Sequence, residues 1–129
     1  MTQLKQKILV VDDEPEARTA MAQMLQANGY EVLEASDGND GLSRANSDGP
    51  SLIILDMVLP DISGMEVLES LRVNLLTKEI PVLLLTGKTD GIDKFASFQK
   101  FSDRYMQKPG RIDDILQIVR NMLDSTKNP

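Results

Sequence analysis

The stretch "ILVVDDEP", residues 8–15, runs four branched apolar residues directly into three acids and a proline. An apolar run without polar alternation is typical of a strand buried on both faces, and a proline suits the first turn of a helix. The acids therefore lie at a junction between a buried strand and a helix. Like charges at such a junction repel one another unless a cation binds nearby.

The same pattern, a strand-length apolar run followed by a segment with helical spacing, occurs five times along the chain. The predicted strands are "KILVV", "YEVLEA", "SLIILD", "IPVLLLTG" and "RYMQK". The predicted helices are "PEARTAMAQMLQAN" ended by Gly29, "NDGLSRAN" capped by Asp37, "MEVLESLRVNLL", "TDGIDKFASFQKF" and "IDDILQIVRNMLD". In the third helix the apolar residues at helical spacing are Val67, Leu68, Leu71 and Leu75. We predict an α/β fold with a doubly wound, five-stranded parallel sheet, one domain over residues 1–124 and a frayed tail at 125–129.

Composition narrows the possible functions. The chain has 129 residues, enough for one domain, and its net charge of −6 disfavours binding to nucleic acid or to an anionic membrane surface. Cysteine and histidine are both absent from the sequence. Thiolate zinc sites, cysteine nucleophiles and imidazole bases are therefore excluded. No apolar run has the length of a secretory signal or a membrane span, so we expect a cytoplasmic protein.

Several polar residues are predicted to meet at one edge of the sheet. The carboxyl ends of parallel strands share an edge, and ligands bind there where the strand order reverses. The residues that end strands one, three, four and five include Asp12, Asp13, Asp56, Thr86 and Lys108. Carboxylate oxygens suit Mg²⁺, and with the metal bound a further carboxylate can attack a phosphoryl group. Lys108 and Thr86 would neutralise and hydrogen-bond the phosphoryl oxygens, giving a phosphoaspartate.

These motifs resemble the receiver domains of two-component response regulators, and the resemblance covers nearly the whole chain. It rests on the acidic pair at 12–13, Asp56 in "LDMVLPDISG", Thr86 in "LLLTG", Tyr105 in "DRYMQKPG" and the Lys108–Pro109 pair. It implies a flavodoxin-like (βα)5 sandwich. It also implies a phosphoacceptor signalling domain that assists its own phosphorylation and dephosphorylation, not an enzyme acting on other molecules.

The resemblance assigns roles to the residues of the acidic site. It implies that Asp56 accepts the phosphoryl group and that Asp56 and Asp13 bind Mg²⁺ directly. Asp12 would act through a metal-bound water, and the backbone carbonyl of Val58 would complete the protein ligands. Lys108 would pair with the phosphoryl group, its peptide bond to Pro109 being cis, which is rare except before proline.

The resemblance also implies a switch and two kinds of partner. Thr86 would move to the phosphoryl oxygen and Tyr105 would rotate into the vacated space, which biases the surface of the fourth helix, fifth strand and fifth helix toward a downstream protein. The phosphoryl donor would be a sensor histidine kinase or a histidine phosphotransfer protein, since this chain has no histidine. Because the apolar side chain of Val58 cannot position an attacking water, we expect slow loss of the phosphoryl group.

Two positions depart from the family pattern. Phe101 stands where a glycine often ends the fourth helix, and Gly110 stands where a phenylalanine usually follows the Lys-Pro pair. We expect an irregular helix end and a looser turn. Phe95 and Phe98 can share a helical face, and either pack on the sheet or form a docking patch for a partner.

Other interpretations are open from the sequence. Asp12 or Asp13 can serve to cap the first helix. A phosphorylation-independent interaction module would have the same fold. A phosphatase of the haloacid-dehalogenase type would form a phosphoaspartate too, but Val58 stands where its second acid is expected. A flavin-binding protein would need a phosphate-cradling loop where this chain has "DDEPEA".

Overall fold

The computed structural model describes residues 5–86, 104–107 and 112–127, and these form a five-stranded parallel sheet with helices. The strand order is β2-β1-β3-β4-β5. The strands are β1 Lys7–Val11, β2 Glu31–Ala35, β3 Leu52–Asp56, β4 Val82–Thr86 and β5 Arg104–Gln107. The order reverses at β1, since β2 lies on one side of it and β3 on the other. The predicted doubly wound parallel sheet is confirmed.

Helices cover both faces of this sheet. They are α1 Pro15–Ala27, α2 Gly38–Asp48, α3 Gly64–Val73 and a C-terminal helix, Ile112–Lys127. Successive strand side chains point to opposite faces. In β1, Leu9 and Val11 pack with residues of α2 and α3, whereas Ile8 and Val10 pack with α1 and the C-terminal helix. Two apolar layers therefore pack against the two faces of the sheet, and the carboxyl ends of the strands lie at an edge between them.

Two predicted helix boundaries are confirmed by local contacts. Helix α1 ends at Ala27, and Gly29 follows it with φ of 93°, a conformation that glycine adopts without steric cost. Asp37 is the N-cap of α2, and its side chain accepts a hydrogen bond from the backbone N–H of Asp40 at 2.7 Å.

The prediction that the apolar stripe of α3 includes Leu75 is wrong. The helix ends at Val73, and Asn74 adopts an extended backbone. Leu75 is 82% exposed. The Asn74 side chain accepts from the N–H of Leu76 at 2.9 Å, and the Thr77 hydroxyl donates to the carbonyl of Leu71 at 2.7 Å. These side chains satisfy backbone groups that another helical turn would have used.

The outer limits of the domain stay predictions. The C-terminal helix runs to Lys127, beyond the predicted boundary at residue 124. Within the three described ranges, no helix is both long and apolar enough to cross a membrane. The cytoplasmic location is likewise still a prediction.

Candidate metal centre

Three carboxylates meet at the carboxyl edge of the sheet. Asp12 and Asp13 directly follow β1, and Asp56 is the last residue of β3. Strands β1 and β3 are paired neighbours, with Val11 opposite Leu55, so both chain ends emerge side by side at the point where the strand order reverses. Each of the three acids offers a carboxylate oxygen, and these oxygens lie within 4.8 Å of one another. The fold thus brings together the acids that the sequence assigned to one site.

The geometry and the donor set fit a small divalent cation. Opposite oxygens on an octahedral Mg²⁺ lie about 4.2 Å apart, given metal–oxygen distances of about 2.1 Å. Asp12 is 2% exposed and Asp56 7% exposed, whereas Asp13 is open to solvent. Carboxylates packed this closely repel one another unless positive charge offsets them. The site can therefore hold Mg²⁺ between two buried acids and one exposed acid.

Asp12 is held by its backbone and its side chain. Its N–H donates to the carbonyl of Ala35 at 3.1 Å, and its Oδ1 accepts from the N–H of Glu14 at 3.0 Å. The N-cap position of α1 belongs to Glu14, whose side chain makes no capping bond. Neither Asp12 nor Asp13 is thus the N-cap residue, and Asp12 instead holds the turn that leads into the helix.

Asp56 is held by the loop that follows it. Its Oδ1 accepts from the N–H of Val58 at 3.3 Å. The N–H of Met57 donates to the carbonyl of Leu85 in β4 at 3.0 Å, which continues the sheet pairing past the strand end. The N–H of Gly64 then donates to the carbonyl of Met57 at 2.7 Å and closes the loop. The Val58 side chain is 65% exposed and is thus open to solvent two residues from the predicted acceptor.

Asp61 ties the same loop to the start of α2. Its two carboxylate oxygens accept from the backbone N–H groups of Gly38 and Asn39, each at 2.8 Å. Desolvation alone would raise the pKa of Asp61. The hydrogen bonds from Asn39, Gly38, Ile62 and its own N–H together lower that pKa below its ordinary value. An anion at a helix N-terminus is also favoured by the helix dipole.

Sequence reasoning did not single out Asp61 or Arg18, whose guanidinium contacts the carbonyl of Asp12 at 2.7 Å. Arg18 lies six residues from Asp12, and Asp61 lies more than twenty residues from its partners. No local pattern marks either residue. The one available signal for Asp61 was an acid in the loop after Asp56.

The remaining predicted site residues are placed only in part. Thr86 ends β4, and Tyr105 lies in β5 opposite Leu84, but the side chains of both lie outside what the structure describes. Lys108 also lies outside the described residues. The same holds for the predicted fourth helix and for Phe95, Phe98, Phe101, Pro109 and Gly110. The roles assigned to these residues stay predictions.

Comparison with known proteins places the chain in a family. The family model for the response regulator receiver domain matches residues 8–120. The chain is 42% identical over 106 residues to the alkaline phosphatase synthesis transcriptional regulatory protein PhoP of Bacillus subtilis, a match that covers 82% of this chain and 43% of that protein. It is 37% identical over 120 residues to the DNA-binding dual master transcriptional regulator RpaA of Synechocystis, covering 93% of this chain and 50% of that one. The chain thus spans about half the length of these relatives.

Comparison of the structure with solved structures indicates the same family. The structure superposes on a CheY-like response regulator receiver domain protein from Methanospirillum hungatei with a TM-score of 0.88 and 28% identity, covering 96% of this chain and 98% of that one. Proteins of this kind are signalling domains and not enzymes of the usual sort. Aspartate phosphorylation is their standard function, and Mg²⁺ is the metal that the family typically uses. This chain belongs to the receiver domain family of two-component response regulators.

Proposed function

We propose that this receiver domain accepts a phosphoryl group on Asp56, at a Mg²⁺ site formed with Asp12 and Asp13. The observation that carries the proposal is the convergence of the three carboxylates within 4.8 Å at the switch point of the sheet. Asp56 is the member of this set at the end of β3, where its Oδ1 is oriented by the N–H of Val58. Bound Mg²⁺ would supply the positive charge that lets an incoming phosphoryl group approach three acids.

The transfer needs few groups from this chain. A carboxylate oxygen of Asp56 forms the new O–P bond while the P–N bond of a phosphohistidine in the donor breaks, and the imidazole nitrogen keeps the electron pair. Asp13 and Asp56 would bind the metal directly, and Asp12 would contact it through a bound water. The Val58 carbonyl would complete the protein ligands. We assign to Lys108 the role of neutralising the phosphoryl oxygens. The donor would be a histidine kinase or a histidine phosphotransfer protein.

The output is proposed to depend on Thr86 and Tyr105. Asp56 pairs with Leu85 across β3 and β4, so Thr86 is one residue beyond the direct neighbour of the acceptor. Tyr105 lies one strand further out, in β5. A hydroxyl drawn toward the new phosphoryl group and an aromatic ring that follows it would carry the signal from the site to the edge of the sheet. A downstream protein would bind at that edge and at the helices beside it.

The phosphoryl group is expected to persist. Val58 is two residues after the acceptor, and its exposed apolar side chain offers no hydrogen bond to a water that could attack the phosphorus. We infer that the domain assists its own dephosphorylation poorly. A decay rate unchanged when Val58 is replaced by asparagine would contradict this.

Intact mass after incubation with acetyl phosphate tests the proposal. We expect one added phosphoryl group in the native domain with Mg²⁺. We expect none in the Asp56→Asn variant and none in the native domain when a chelator removes the metal. Asp48→Asn, at the far end of α2, is the matched control and should be modified like the native domain.

Two outcomes would count against the proposal. An adduct that persists in Asp56→Asn would place the acceptor elsewhere. A folded domain that binds Mg²⁺ but takes no phosphoryl group, from acetyl phosphate or from a phosphohistidine donor, would instead favour a phosphorylation-independent interaction module.

A further inference from the structure

Arg18 connects the acidic site with the neighbouring strand. It lies in the first turns of α1, and its Nη1 donates to the backbone carbonyl of Asp12 at 2.7 Å. Its Nε donates to Oε1 of Glu34 in β2 at 3.1 Å. The Arg18 side chain is 18% exposed and the Glu34 side chain 42% exposed. One guanidinium group therefore joins a helix, a strand and the loop that carries two of the three acids.

These contacts close a ring around the peptide of Asp12. The N–H of Asp12 is held by the carbonyl of Ala35, and its carbonyl is held by Arg18, which is held in turn by Glu34. Glu34 and Ala35 are consecutive residues of β2. Both polar groups of the Asp12 backbone are thus connected to β2, the N–H directly and the carbonyl through Arg18. Asp12 cannot rotate about its backbone without breaking one of these bonds.

The charge of Arg18 and its hydrogen bonds have opposite effects on a cation site. A positive charge close to the acids opposes the binding of Mg²⁺, whereas a fixed Asp12 favours it by removing the entropy cost of ordering the loop. Glu34 pairs with Arg18 and cancels most of its charge at longer range. The positioning effect should therefore outweigh the electrostatic one.

Resting on the function proposed above, we propose that Arg18, fixed by Glu34, is a positioning residue for the Mg²⁺ site. It holds the Asp12 backbone, and with it the adjacent Asp13, in the one conformation in which Asp13 would bind the metal directly and Asp12 through a water. Groups that hydrogen-bond to metal-binding residues and orient them typically contribute about 10- to 100-fold to metal affinity. The effect on the Mg²⁺ dissociation constant should lie in that range.

Two substitutions of Arg18 separate positioning from charge. Arg18→Met removes both hydrogen bonds and the charge but keeps much of the apolar stem. Arg18→Lys keeps the charge, but its single ammonium group lacks the fixed fork that spans Asp12 and Glu34. The matched control is Arg44→Met, which removes the exposed pair between Arg44 and Asp40 on α2, a helix that carries none of the three acids.

Mg²⁺ affinity is measured by isothermal titration calorimetry, on variants whose circular dichroism spectra show that they are folded. Positioning predicts a dissociation constant raised about tenfold or more in both Arg18 variants and unchanged in Arg44→Met. Tighter binding in Arg18→Met with no change in Arg18→Lys would show that charge dominates, and would overturn the proposal. A lower melting temperature with an unchanged dissociation constant would assign Arg18 a purely structural role and would overturn it too.

Amide hydrogen exchange in metal-free protein gives a second readout that does not depend on Mg²⁺. The N–H of Glu14 donates to the Asp12 side chain, so its exchange should speed up in both Arg18 variants and not in the control. If native protein binds no Mg²⁺, the proposed function fails, and this exchange rate alone decides whether Arg18 fixes Asp12. Unchanged exchange at Glu14 would overturn the positioning role.

Discussion

Helix α3 begins in direct contact with the end of β3, and Gly64 makes this contact possible. A Cβ atom built on Gly64 would lie 2.6 Å from the carbonyl oxygen of Asp56 and 2.7 Å from the Cα atom of Met57. Both are backbone atoms, so neither can rotate away as the end of a side chain could. Replacing Gly64 with alanine must therefore move either the start of α3 or the backbone of the predicted phosphoacceptor.

The size of this movement follows from the distances. Ordinary van der Waals contact begins at 3.4 Å, so relieving the 2.6 Å contact requires the two segments to separate by about 0.8 Å. Overpacking of this kind costs about 1–3 kcal/mol of unfolding free energy. For a domain of this length that corresponds to a fall of roughly 3 to 12 °C in melting temperature. A displacement approaching 1 Å at a reacting group can cost on the order of a hundredfold in rate, so we expect phosphorylation to slow by tens of fold.

Thermal unfolding and the rate of modification by acetyl phosphate together test this reasoning. The control is Gly49→Ala, where φ is 55° and no atom lies within 4 Å of the new Cβ. The strained backbone of that variant costs on the order of 1–2 kcal/mol, but its phosphorylation rate should match the native rate. Native stability and a native rate in Gly64→Ala would refute the close contact. A rate lost equally in both variants would show that global stability, not the position of Asp56, sets the rate.

Three further predictions concern stability. Asp61→Asn should lower the melting temperature at neutral pH, because an amide cannot accept from two N–H groups through two oxygens. The pKa of Asp61 is lowered on folding, so its stabilisation is present above the ordinary aspartate pKa and is lost as the pH falls through the lower folded value. The melting-temperature gap to native protein should thus close in strong acid. Thr77→Val removes a buried hydrogen bond to the carbonyl of Leu71 and should cost about 1–2 kcal/mol in urea unfolding. Leu71→Ala should cost about 2–5 kcal/mol, whereas Leu75→Ala, in an exposed turn, should stay within about 0.5 kcal/mol of native protein.

Each of these predictions has a contradicting result. A gap between Asp61→Asn and native protein that stays constant from neutral to strongly acidic pH would show that the charge of Asp61 is irrelevant. A Thr77→Val variant as stable as native protein, beside a Thr77→Ser control that keeps the hydroxyl, would show that the Leu71 carbonyl needs no partner there. Equal losses of unfolding free energy in Leu71→Ala and Leu75→Ala would support the longer α3 that the spacing predicted.

Local patterns predicted most of the fold because the central strands β1, β3 and β4 are buried on both faces. A strand such as β3 is then a continuous apolar run up to its terminal Asp56, and "LIILD" identifies it without help from distant residues. Capping is also local, which is why Asp37 and Gly29 could be assigned from sequence. The end of α3 could not, because Asn74 and Thr77 compete for backbone groups with the next helical turn. The spacing of apolar residues shows which face of a helix is buried, but it does not show which hydrogen-bond partner a backbone carbonyl takes.

The candidate site likewise combines features that the sequence predicted with features that only the structure showed. The sequence by itself determined which acids end strands, and the geometry of a parallel sheet then requires Asp12, Asp13 and Asp56 to share an edge. Only the tertiary structure decided how these acids are held. Arg18 reaches Glu34 across sixteen residues and Asp61 reaches Gly38 across twenty-three, and both bonds exist because a helix and a loop pack against particular strand ends. A strand buried on both faces leaves a continuous apolar run in the sequence, whereas a single hydrogen bond between distant residues leaves no pattern.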